Sequence, residues 1–124
     1  MKIAVTSVGK TEQEPVSERF ARCNYFVIYD SETLVFSAVE NIAKEEGSGA
    51  GNKAVKILSD NDVSIVLGPK VGPNALEALE AFEIKIFDFK NAKTPQDAIY
   101  QYLGKELPPI TTPIKNKHKW KLHY

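Results

Sequence analysis

Two glycine-rich stretches carry the residues of this chain best suited to holding a ligand. They are Gly47-Ser48-Gly49-Ala50-Gly51-Asn52-Lys53 and Gly68-Pro69-Lys70-Val71-Gly72-Pro73-Asn74. Each stands just before an amphipathic segment that reads as a helix. Glycine lets a backbone come close to a bound group, and a helix N-terminus offers unpaired N–H groups with a partial positive charge. The chemistry implied is the capture of an anion by backbone amides. The hydroxyls of Thr6, Ser7 and Ser48 and the cations of Lys53 or Lys70 stand ready to assist. A purely structural reading stays open beside it, in which the glycines only make turns and caps.

Neither stretch is a nucleotide motif. A P-loop needs glycine at 52 and serine or threonine at 54, where the chain has Asn52 and Ala54. The dinucleotide fingerprint fails too, because the spacing is Gly47-x-Gly49-x-Gly51. Two-metal nuclease chemistry lacks an anchor, since Lys2-Ile3-Ala4-Val5-Thr6-Ser7 contains no acid. With two histidines and one cysteine, no nucleophile–base pair or metal-ligand cluster can be assembled, and the chain reads as a binding protein rather than an enzyme. Cys23 follows Arg22, whose charge could lower the thiol pKa and make it a soft iron ligand. The alternative for Cys23 is a small buried residue.

At 124 residues the chain fits one core, with residues 1–107 as a single α/β domain and 108–124 as a proline-led basic tail. No apolar run approaches the roughly 20 residues that span a bilayer, and no signal peptide is evident at the start. One cysteine forms no internal disulfide, so a cytoplasmic location is the default expectation. The net charge of zero hides an asymmetry. Lys115, Lys117, Lys119 and Lys121 lie after Pro113, where no acid occurs. That leaves 12 basic against 16 acidic residues in the body, about −4, and about +4 in the tail. A body of that sign argues against nucleic-acid binding. From Ile114 to Tyr124 the lysines alternate strictly with other residues, a period-two pattern that fits an extra strand pairing with its own sheet, a second copy or a partner, a disordered basic tail being the alternative. His118 and His123 fall on opposite faces of such a strand and would not chelate one metal together.

The elements that must position these loops follow from periodicity. Strands are predicted at 2–7, 25–30, 34–40, 63–67 and 84–87, with Ser31-Glu32-Thr33 turning a hairpin and a helical turn at Ser17–Phe20. Helices are predicted from Ala50 to Leu58, from Pro73 with an apolar stripe of Ala75, Leu76, Leu79 and Phe82, and from Thr94-Pro95 to Gly104. Strand–helix alternation in the second half implies parallel pairing there, and the hairpin makes the sheet mixed.

The chain resembles the dinitrogenase iron–molybdenum cofactor biosynthesis family across about residues 2–104. The likeness rests on Lys2-Ile3-Ala4-Val5 with Ser7 and Gly9, Phe20-Ala21-Arg22 before Tyr25-Phe26, Asp30 and Asn41. It continues through Gly49-Ala50-Gly51, Gly68-Pro69-Lys70-Val71-Gly72 and Thr94-Pro95. Ala21 departs from the family's usual glycine. The resemblance implies a ribonuclease H-like, three-layer α/β/α fold with strand order 3-2-1-4-5 and strand 2 reversed. It also implies a non-enzymatic role in binding or carrying an iron–sulfur or iron–molybdenum cluster precursor. In that order the loops at Ser7–Gly9, Gly47–Gly51 and Gly68–Gly72 meet at one sheet edge, so Ser7, Gly9, Ser48, Gly49, Gly51, Lys53, Gly68, Lys70 and Gly72 are the expected ligand-binding residues, with Cys23 the candidate metal ligand.

Overall fold

The computed structural model describes residues 1–111. It contains β1 (Lys2–Ser7), β2 (Tyr25–Asp30), β3 (Val35–Glu40), a 3-10 helix (Ile42–Glu45), α1 (Ala50–Asp60), β4 (Val63–Gly68), α2 (Pro73–Ala81), β5 (Lys85–Asp88) and α3 (Pro95–Leu103). The five strands form one sheet in the order β3-β2-β1-β4-β5. β2 runs antiparallel to both β1 and β3, whereas β4 is parallel to β1 and to β5. The period-two pattern of 114–124, with His118 and His123, lies outside the described residues. None of the described helices is long and apolar enough to cross a membrane.

Two apolar layers sandwich the sheet. On one face Ala4, Phe26, Ile28, Val66 and Ile86 meet Ala54, Val55 and Leu58 of α1 and Leu76 and Leu79 of α2. On the other, Ile3, Val5, Ile65 and Leu67 meet Ala98 and Ile99 of α3. Successive strand residues face opposite sides, so β1 must be apolar almost throughout, and Ile3, Ala4 and Val5 are fully buried. α3 starts as its sequence predicts. The Thr94 side chain accepts from the Asp97 N–H at 3.1 Å, with Pro95 in the first turn. Asp30 closes the hairpin by accepting from the Glu32 N–H at 2.8 Å.

Three local expectations change. Ser17–Phe20 forms no helical turn; it is irregular, with the Ser17 N–H donating to the Thr6 carbonyl at 2.9 Å and Val16 bridging Ser7. Leu34 lies in the turn with φ 64°, so β3 begins one residue later. Phe82 leaves the apolar stripe of α2: it caps the helix and is 48% exposed. Pro108 to Ile110 run antiparallel along β5, through Asp88 N–H to Pro108 O and Ile110 N–H to Ile86 O, each 2.9 Å.

Replacing Leu58 by Ala removes a fully buried side chain between helix and sheet and lowers stability by about 2–5 kcal/mol. Thr94→Ala, which loses only a cap, costs about 1 kcal/mol. Urea denaturation of the two variants checks both the magnitudes and their order.

Candidate functional site

Strands β1, β3, β4 and β5 point the same way, so their following connections emerge at one edge of the sheet. The connections diverge between the parallel strands β1 and β4: the chain leaves β1 toward β2 on one side and β4 toward β5 on the other. Such a switch point opens a crevice beyond the carboxyl ends of the strands.

Two helix N-termini lie at that edge, side by side. A Cβ built at Gly51, in the first turn of α1, would sit 3.6 Å from the Cβ of Ala75 in the first turn of α2. Both helix starts have glycine at the cap position, Gly49 and Gly72, with no side-chain cap and no acid in the first turn. The amides of these turns and the positive ends of both helix dipoles are therefore left without a protein anion. The start of α3 differs, since Thr94 and Asp97 occupy it. Gly49 adopts φ 74°, which an L side chain rarely takes, so glycine is needed to turn the chain into α1. Gly72 has ordinary backbone and open space around its missing side chain.

The other expected site residues divide. Ser48 and Lys70 are exposed, and Lys70 has no ion-pair partner among the described residues. Lys53 pairs with Glu46 at 3.1 Å across an exposed gap. Gly68 is buried at the end of β4, and a Cβ there would lie in contact with Thr6 at 3.4 Å. The two first-strand hydroxyls are both buried and turned inward. Thr6 donates to the Ser17 carbonyl at 2.7 Å, and Ser7 donates to the Gly9 carbonyl at 2.7 Å while accepting from the Gly9 N–H at 3.2 Å. They shape the β1 loop and do not face solvent.

A polar clamp that periodicity does not reveal locks the neighbouring loops. The Asn41 side chain is buried and donates to the carbonyls of Ala21 and Cys23, each at 2.9 Å, while its oxygen accepts from the Ala43 N–H. Arg22 donates to the carbonyls of Lys44 and Glu46 at 2.8 and 2.9 Å, closing the end of the 3-10 helix. Its guanidinium is spent on backbone and does not activate the adjacent thiol. Burial instead pushes Cys23 from 9.0 up to about 12, against hydrogen bonds from the Ser7 backbone and the Asn41 amide that act in the opposite direction. Cys23 therefore keeps its proton at neutral pH and packs in the core. Groups of three or more His, Cys, Asp or Glu able to hold a metal are absent among the described residues. One signal for the clamp was available in sequence: Asn41 stands at a strand-to-helix junction, where a side-chain carbonyl caps.

Comparison with known proteins places this geometry. The sequence profile described as dinitrogenase iron-molybdenum cofactor matches residues 1–105. The apo form of the orange protein from Desulfovibrio gigas superposes with a TM-score of 0.83 at 31% identity, over 87% of this chain and 91% of that one. A candidate NifB protein from Thermotoga, of the DUF35 family, superposes with a TM-score of 0.78 at 39% identity, over 90% of this chain and 94% of that one. No curated protein matches the chain.

Asn41→Ala leaves two carbonyls without their donor and lowers stability by about 2–3 kcal/mol, measured by urea denaturation. Cys23 resists a thiol reagent at pH 8 in the folded chain and reacts in urea. Because its folded pKa is raised, its contribution to stability is intact below pH 9 and is lost as pH rises toward about 12. Cys23→Ala consequently flattens the alkaline decline of stability relative to the parent chain.

Proposed function

The chain belongs to the dinitrogenase iron-molybdenum cofactor family, and from that premise we propose that it is a non-enzymatic binding or carrier protein for an anionic metal cluster of iron–sulfur or iron–molybdenum type. The observation that carries this reading is the pair of uncapped helix N-termini in contact through Gly51 and Ala75 at the carboxyl edge of the sheet. Amides of two first turns meet there with no acid in either turn, the Glu46 carboxylate being held by Lys53, and a guest bearing negative charge gains from both dipoles. Lys70 and Lys53 lie on the loops and first turn of the same edge.

The cluster is cargo, and the donor set decides how it is held. The single cysteine is buried in the core, and the residues of the two loops carry no thiol. The cargo fits as a preassembled anion whose ligands come with it, gripped by backbone N–H groups and lysine charge. The residues proposed to form this cradle are Ser48, Gly49, Gly51, Lys53, Lys70 and Gly72. Ser7, Gly9 and Gly68 contribute by shaping the loops around it. A metal-free small anion is the second reading, favoured by the burial of Cys23 in the core.

Anaerobic reconstitution with iron and sulfide, followed by absorption spectroscopy and elemental analysis, distinguishes the two. Visible absorption with retained iron is expected, whereas a colourless, iron-free product overturns the cluster reading. Gly72→Val places a branched side chain at the cradle without backbone strain. It weakens binding about tenfold or more, or 1.4 kcal/mol, with an unchanged circular dichroism spectrum. Unaltered affinity in that variant counts against the cradle itself.

A further inference from the structure

A second concave surface lies away from the cradle. An open groove of about 740 Å³ runs between the second half of α2 and the outer edge of the sheet. Its floor is apolar, formed by Leu76, Ile84, Ile86 and Ile110, and Glu80 and Glu83 stand along it. A volume of this size suits a short segment of chain better than one side chain. α2 begins at the carboxyl edge and ends at the opposite one, so its acidic second half faces away from the anion cradle. That end carries no basic residue in its last turn, and the negative end of the helix dipole adds to the charge of the glutamates.

The chain itself leads into this groove. After α3 the backbone returns along β5, pairing Pro109 with Phe87 and Ile110 with Ile86, and Thr111 lines the groove where the described residues end. In that antiparallel direction along β5 lie Ile84 and the exposed Phe82, at the acidic end of α2. Thirteen residues follow Thr111, among them Ile114, Trp120, Leu122 and four lysines without any acid. Extended, they reach about 40 Å, whereas nine residues of helix span about 14 Å, so length allows the segment to fold back over α2.

We propose that this groove is the docking site for the chain's own C-terminal segment, residues 112–124, with its apolar side chains on the floor and its lysines against the acidic end of α2. The pairing joins a body of about −4 to a tail of about +4 and shields apolar surface on both. It also keeps the basic tail at the far end of α2 from the anion cradle, so the tail is a structural strap and takes no part in holding cargo.

Trp120 is the chain's only tryptophan and reports on the segment directly. In the full chain its emission lies to the blue of the urea-unfolded protein, and acrylamide quenches it less. Glu83→Lys and, independently, Ile110→Ser shift the emission to the red and raise quenching toward the unfolded value, with far-ultraviolet circular dichroism unchanged. Light scattering returns a monomer mass across the concentration range. Emission and quenching equal to the unfolded chain overturn the proposal, as does shielding that neither groove variant relieves. Shielding that appears only with a dimer mass overturns it in favour of a second copy as the occupant.

Discussion

Complete burial of the central strand is the constraint from which the rest of this structure follows. β1 is paired on both edges and covered on both faces, so it offers solvent nothing but its ends. A strand in that position must be apolar, and helices must cover it on both sides to remove its side chains from water. Polar function is thereby expelled to the strand ends, and the end where the connections from β1 and β4 diverge has the space. Even the two hydroxyls at the end of β1 are drawn into backbone hydrogen bonds, because they remain buried and must be satisfied there.

The crevice beyond that end is built mostly from backbone. Helices α1 and α2 cover the same face of the sheet, and packing brings their first turns into contact. Close approach requires small residues at the contact, which Gly51 and Ala75 supply. Glycine at both cap positions then leaves the amides exposed where a serine or aspartate would have covered them. α3 lies on the opposite face with a full cap, and the contrast locates the unsatisfied positive potential on one side of the molecule. Rigidity comes from a different source. The buried Asn41 amide and the exposed Arg22 guanidinium bind carbonyls of neighbouring loops, so the connections beside the crevice are fixed by side-chain hydrogen bonds.

The two ends of α2 carry opposite tasks for one electrostatic reason. Its uncapped start is positive and meets the proposed cargo, and its acidic finish is negative and meets the proposed basic tail. Separation of these ends along a short helix keeps a strongly basic segment from competing for an anionic guest.

Much of this was legible in the chain as written. The apolar runs at Ile3–Val5 and Val63–Leu67, the turn at Asp30, the Thr94-Pro95 cap and the glycines before α1 and α2 are local signals, decided by residues a few positions apart. Other features depended on which segments meet. The course of Ser17 follows from its pairing with Thr6, eleven residues away, and no local propensity reports that. Phe82 obeys helical spacing yet lies exposed, because α2 ends before its face reaches the core. Arg22 beside Cys23 reads as an activated thiol, whereas folding turns the guanidinium to carbonyls more than twenty residues away and buries the sulfur. Sequence by itself determined the kinds and order of the elements, since these follow from periodicity and capping. Only the tertiary structure decided which polar groups stay free to bind, because that depends on which of them find partners once distant segments are packed together.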